Sequence, residues 1–173
     1  MKDRIAMIVA TWFYSSMIFK PAPGTFGTIF SLPLCFFVLC ICKKLSSLFG
    51  FFLYSAVIMF IFAVGYWAVP IAEKVLQSRQ DGYGNKVDRD QGQIVIDETF
   101  GIAISCFPLL YFGILNIYLG LLLAFIFFRI FDIIKFFPAK YFDNMESALG
   151  VMMDDFVAGA QTAVILIAIK MIF

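Results

Sequence analysis

Three short stretches of this sequence gather the residues that can do chemistry. Asp88-Arg89-Asp90 runs on to Asp97-Glu98; Arg129, Asp132 and Lys135 recur three residues apart; Asp154-Asp155 stands alone as an acidic pair. Carboxylates bind hard cations such as Mg²⁺ through oxygen, and Arg and Lys neutralise phosphate or other anions. Acids and bases placed side by side therefore point to a metal ion and an anionic substrate held together.

The elements that must position these residues are apolar. Of the 173 residues, 62% are hydrophobic and 14% charged, and the mean hydropathy is +0.95. A soluble domain carries about a quarter charged residues. The chain therefore reads as one all-α, membrane-embedded helical bundle covering residues 1–173. A net charge of +1 with no basic stripe gives no footprint for nucleic acid.

Residues 5–19 are apolar but too short to span and suit a re-entrant, interfacial or packed helix. The Pro/Gly-rich stretch 20–27 predicts a loop. Residues 26–42 and 48–70 are spanning candidates, 71–97 is the one long polar stretch, and 81–85 read as turns. Residues 99–128 are too long for one ordinary span; Pro108 and the 113–116 region predict a tight hairpin of two short passes. Residues 129–150 are polar again, and 151–173 form the last span. The outcome is about four spanning helices plus the short N-terminal one. Lys2-Asp3-Arg4 precedes no cleavage site of signal-peptide type.

Threaded through a bilayer in this way, the chain places all twelve acids on one side. The other side receives Lys43, Lys44 and Lys170, leaving ten of the thirteen Lys and Arg beside the acids. The positive-inside bias makes that side cytoplasmic, with Lys43-Lys44 against the trend. If 99–128 crossed only once, the acidic blocks would be separated.

Simpler accounts exist for each block. Asp97-Glu98 opens a helix, where one acid complements the helix dipole. A second acid there, after Ile94-Val95-Ile96, is costly to bury unless a cation pairs with it. Arg129, Asp132 and Lys135 can form a salt-bridge ladder on one helix face, or Asp132 can hold metal while Arg129 and Lys135 clamp phosphate. Asp154 and Asp155 point in different directions, so one can bind metal while the other orients it. Ala158-Gly159-Ala160 follows them and permits close helix approach. Gly24 and Thr25 lie in a tight loop beside a helix start, where backbone N–H groups can hold phosphate.

The absence of histidine removes Ser-His-Asp hydrolases, phosphohistidine enzymes and His-dependent lipid phosphatases. Cys35, Cys40, Cys42 and Cys106 sit in apolar runs as small hydrophobes, with no CxxxxxR phosphatase loop. Asp88-Arg89-Asp90-Gln91-Gly92 imitates a haloacid-dehalogenase nucleophile motif, but the soluble sheet that motif requires has no room here. Asp81-Gly82-Tyr83-Gly84-Asn85-Lys86 departs from the DGxxAR signature of membrane alcohol phosphotransferases. An ion or metal transporter using carboxylate ligands is the non-enzymatic alternative; it would place acids near mid-span rather than at helix ends on one face.

Four blocks together resemble the phosphatidylglycerophosphatase A family: Lys20-Pro21-Ala22-Pro23-Gly24-Thr25 with Gly27; Ile94-Val95-Ile96-Asp97-Glu98; Phe128-Arg129-Ile130-Phe131-Asp132-Ile133-Ile134-Lys135 with Pro138 and Phe142-Asp143; and Gly150-Val151-Met152-Met153-Asp154-Asp155 with Ala158-Gly159. They occur in the family's order over nearly the whole chain. Two departures stand out: Phe13-Tyr14-Ser15-Ser16 replaces glycines, and Ser147-Ala148 replaces a Gly-Gly pair. The resemblance implies a multi-pass, bacterial inner-membrane, Mg²⁺-dependent enzyme that hydrolyses phosphatidylglycerophosphate to phosphatidylglycerol and phosphate, with its site facing the cytoplasm. On this reading Asp97, Glu98, Asp132, Asp154 and Asp155 supply metal ligands or the base for water, with Asp90 a further candidate. Arg129, Lys135, Gly24 and Thr25 receive phosphate. Direct attack by water and an acyl-phosphate intermediate are both open to such a set.

Overall fold

The computed structural model describes residues 1–18, 22–81, 93–111, 117–145 and 147–172. Asp90, the turns predicted within 82–85 and the hairpin tip at 113–116 lie outside the described residues. Among the described residues every regular element is helical: α1 (Lys2–Ala10), α2 (Ser15–Ile18), α3 (Pro23–Lys44), α4 (Ser47–Asp81), α5 (Ile96–Ser105), a 3₁₀ turn (Phe107–Leu110), α6 (Ile117–Ile134), α7 (Ala139–Asp143) and α8 (Ala148–Ile172). Four stretches are long and apolar enough to cross a bilayer: Pro23–Lys44, Ser47–Leu76, Ile117–Ile134 and Ala148–Ile172. In lipid only a helix or a closed barrel satisfies its own backbone, which is why an apolar chain of this kind folds as a bundle. Phe37, Phe49, Phe52 and Phe60 point outward, whereas Phe100 and Phe128 are buried.

The N-terminal apolar stretch is not one helix. Trp12, Phe13 and Tyr14 have φ of 46°, 58° and 62°, a left-handed run that breaks the chain between α1 and α2. The Thr11 hydroxyl holds this break, donating to the Met7 carbonyl at 2.6 Å and accepting the Tyr14 N–H at 3.1 Å. Helix α1 then lies along α4, burying Ala6, Met7 and Ala10.

Pro70 does not end the second span. Helix α4 runs through it to Asp81, so part of the expected polar stretch is helical. A proline removes one backbone bond, and beyond it Ala72 and Leu76 remain buried in the common core with α1, which carries the helix onward.

Helix α5 occupies the centre of the bundle, in contact with α3, α4, α6 and α8. Small residues make this possible. A Cβ on Gly159 would collide with the Gly101 carbonyl oxygen, and one on Gly101 would come within 2.8 Å of the Asp155 carbonyl oxygen. These two glycines therefore seat α8 directly on the α5 backbone, the close approach that small residues allow in membranes. The hydroxyls of Ser31 and Thr99 meet at 2.7 Å and pin α5 to α3. At the far end, the Tyr111 hydroxyl donates to the Ser47 carbonyl at 3.0 Å, bringing the exit of the 3₁₀ turn to the start of α4. The 99–128 stretch thus runs out through α5 and the 3₁₀ turn and back through α6, of which only α6 is by itself long and apolar enough to span. Arg129 returns to the end from which Asp97 and Glu98 began.

Candidate functional site

Three elements deliver carboxylates to that end. Asp97 and Glu98 are in the first turn of α5, and Asp155 is in the second turn of α8. Gly101 and Gly159 fix the two helices so closely that Asp97, Glu98 and Asp155 each bring one oxygen within 4.8 Å of the others. Asp155 is only 4% exposed. Three like charges gathered away from water repel one another unless a cation sits among them.

The donor set fits such an ion. Oxygens bound to one Mg²⁺ at 2.0–2.1 Å can be at most about 4.2 Å apart, and about 5 Å for a larger ion such as Ca²⁺. Oxygens that all lie within 4.8 Å of one another are close enough for a shared cation to draw them into one site. The Glu98 Oε2 atom is buried and has no hydrogen-bond partner. A buried acceptor of this kind needs a positive or donating neighbour. An all-carboxylate set selects hard, oxygen-seeking cations over soft ones.

The predicted cations take two different positions. Arg129, on α6, places Nη1 at 2.6 Å from Asp132 Oδ2 and at 4.0 Å from Glu98 Oε1. Its side chain is 16% exposed, and its Nε is buried without a hydrogen-bond partner. The expected ladder from Arg129 through Asp132 to Lys135 forms on its first rung. Lys135 itself has left the helix, with φ of 50°, and its ammonium donates to Asp154 Oδ2 at 3.0 Å. The left-handed residue ends α6 and swings the lysine from the helix's own face across to α8. Asp154 also accepts the Asp155 N–H through Oδ1 at 3.0 Å. The adjacent acids thus face differently: Asp155 joins the three-carboxylate group, and Asp154 holds Lys135.

Gly24 completes the enclosure. The loop expected over 20–27 ends at Pro23, because a proline at N1 starts the helix there, so Gly24 lies in the first turn of α3, where a Cβ would press directly on Glu98 Oε1 and come within 3.5 Å of Arg129 Nη1. Pro23 begins this helix, and its missing N–H costs nothing at a helix start. The α3 N-terminus, with Gly24 and Thr25, is therefore set beside the Glu98–Arg129 pair. Of the residues singled out from sequence, Asp97, Glu98, Asp155, Arg129, Asp132 and Gly24 gather here, while Lys135 and Asp154 pair at the edge of the group. Gly101 was not singled out. Its signal was present, because it stands four residues after Asp97 and three after Glu98, on the same helical face.

The family model for phosphatidylglycerophosphatase A matches residues 8–170. A protein of that name from Haemophilus influenzae is 30% identical over 166 residues, covering 94% of this chain and 87% of the relative. Another, from Escherichia coli, is 30% identical over 145 residues, covering 83% and 72%. A putative phosphatidylinositol-3-phosphatase from Bacteroides thetaiotaomicron is 36% identical over 78 residues, covering 44% and 47%. No solved structure gives a significant match. The chain belongs to the phosphatidylglycerophosphatase A family.

Proposed function

We propose, from that membership and from the site's geometry, that the chain is a Mg²⁺-dependent lipid phosphatase acting on phosphatidylglycerophosphate, releasing phosphatidylglycerol and inorganic phosphate in phospholipid biosynthesis. The observation that carries the reading is the meeting of the Asp97–Glu98–Asp155 group with Arg129 and the α3 N-terminus at one end of an apolar bundle. That end provides for a cation and a phosphate at the depth where a phospholipid headgroup would lie. The family relatives are phosphatidylglycerophosphatases by name.

Each residue has a role in this account. Asp97, Glu98 and Asp155 hold the cation. When bound there, Mg²⁺ supplies positive charge against the phosphoryl oxygens and lowers the pKa of water. Arg129 presents its planar guanidinium to the phosphate, with Asp132 fixing its orientation through the 2.6 Å contact. Backbone N–H groups at Gly24 and Thr25, unpaired by the helix itself, face the same anion. Asp154 positions Lys135 as a second positive charge. The arrangement concentrates charge stabilisation, which is the main task in phosphoryl transfer. On this reading the chain is a single unit over 1–173 in the bacterial inner membrane, with the site on the cytoplasmic face, the side to which the sequence threading assigns ten of the thirteen Lys and Arg.

The test is phosphate release by detergent-purified protein from phosphatidylglycerophosphate, with Mg²⁺ and with EDTA, and with phosphatidic acid as a competing lipid. Mg²⁺-dependent release favouring the first lipid is expected. A folded protein that releases phosphate from neither would turn the carboxylates toward ion transport instead.

A further inference from the structure

The end of α6, the turn 135–138 and the outer face of α8 enclose an open apolar groove of about 510 Å³. That volume lies within the range of ligand clefts, about 300–1,000 Å³. Phe131 and Phe136 form one wall, and Phe156, Val157 and Val164 the other. Two features join this groove to the site. Phe131 and Phe156 are the chain neighbours of Asp132 and Asp155. On α8, moreover, Asp154, Val157, Gln161 and Val164 follow at steps of three and four residues, which places them on one helix face. The groove therefore descends from the Lys135–Asp154 pair, 3.0 Å across, along α8 and away from the charged end.

Gln161 holds the two walls together. Its Nε2 donates to the Phe137 carbonyl at 3.3 Å, fastening the 135–138 turn to α8. Its Oε1 is buried with no hydrogen-bond partner. An amide in an otherwise apolar lining keeps the groove open at a set width. Val164, at the lower end, is 63% exposed, so the groove opens toward the bilayer side of the helix.

We propose that this groove takes one acyl chain of the phospholipid whose phosphate is bound at Arg129 and the carboxylate group, so that the substrate enters sideways from the bilayer. The proposal rests on the lipid-phosphatase reading above. A phospholipid held by its headgroup at the charged end must lead its chains away along an apolar path. This groove is such a path, with a cation at its head and aromatic walls below. A chain arriving from the bilayer is already out of water, so the groove contributes packing contacts and orientation of the lipid rather than hydrophobic transfer, and it gives the enzyme preference for the acylated substrate over the deacylated one.

Two measurements on the full chain in mixed micelles decide it. The first compares kcat/KM for dioleoyl phosphatidylglycerophosphate with that for its deacylated, water-soluble headgroup, in the native protein and in Ala160→Phe, which fills the groove. The lipid-to-headgroup ratio is expected to fall about tenfold in the variant, about 1.4 kcal/mol of lost chain packing and lipid positioning. An unchanged ratio in a variant that melts like the native protein overturns the proposal. The second needs no variant: a phosphatidylglycerophosphate carrying a diazirine in one acyl chain is photolysed on the native protein. Labelling within 156–165 that unlabelled substrate displaces and phosphatidylcholine does not is the expected result. Label that neither lipid or both lipids displace equally reflects ordinary bilayer lipid and overturns it. A native protein inactive on both the lipid and its headgroup removes the phosphatase reading and the groove's occupant together. Activity with an unchanged ratio removes only the groove.

Discussion

Gly24→Ala separates the site from the fold. The added methyl would press on Glu98 Oε1, with Glu98 Cδ at 3.3 Å and Arg129 Nη1 at 3.5 Å. The obstructing atom is the tip of a side chain, so the backbone of α3 and α5 need not move. Glu98 must instead swing its carboxylate by roughly 1 Å, a displacement of the kind that costs about 10²-fold in rate when it disturbs a reacting geometry. The three carboxylates offer oxygens within 4.8 Å of one another, and moving one of them outward by about an ångström opens the set for a small cation such as Mg²⁺. Alanine is at the same time a better helix former than glycine by about 1 kcal/mol, which offsets part of the repacking. The melting temperature is therefore expected to shift by no more than about 4 °C. Phosphate release at saturating lipid should fall about 10²-fold, and the Mg²⁺ concentration giving half-maximal rate should rise. A folded Gly24→Ala protein with native turnover and native Mg²⁺ demand would refute the placement of Glu98 among the ligands.

Asp132→Asn frees the Arg129 guanidinium, and kcat/KM should fall about 10- to 100-fold, no more than for loss of the Arg129 fork itself, while membrane insertion, followed by fractionation and melting, stays native; native activity would remove Asp132 from the site. Arg129→Lys keeps the charge but loses the planar fork, and kcat/KM should drop about 10- to 100-fold, in line with the loss of one or two charge-assisted hydrogen bonds; an unchanged value would show that Arg129 does not meet the phosphate. Saturating Mg²⁺ should stabilise the native protein against heat, by about 2.7 kcal/mol at a hundredfold excess over its dissociation constant. Asp155→Asn should lose that increment, and a full Mg²⁺ shift in the variant would exclude Asp155 as a ligand.

Much of this arrangement was legible before any fold was described, for identifiable reasons. Charged residues are so costly in an apolar bundle that their positions alone mark its polar end. The length of 99–128 required a double pass, and that pass returns Arg129 to Glu98. The i, i+3 spacing of Arg129 and Asp132 gave their ion pair directly. What stayed hidden depends on contacts between distant segments or on single backbone torsions. Lys135 was placed on a helical face, but its left-handed φ turns it toward Asp154. Pro70 suggested a helix end, yet packing beyond it carries α4 on to Asp81. The break at Trp12–Tyr14 has no glycine to announce it. Gly101 looked like one small residue in an apolar run; its function depends on Gly159, 58 positions later in the chain.

The proposed lipid hydrolysis depends on a cation held by Asp97, Glu98 and Asp155. The most direct measurement strips the purified protein with EDTA and follows phosphate release from phosphatidylglycerophosphate as Mg²⁺ is titrated back, with native protein and Asp155→Asn side by side. No release by the stripped native protein, a saturable return with Mg²⁺, and no return in the variant at the concentrations that saturate the native site are expected. Native-level release in EDTA, or the same Mg²⁺ curve for both proteins, would contradict it.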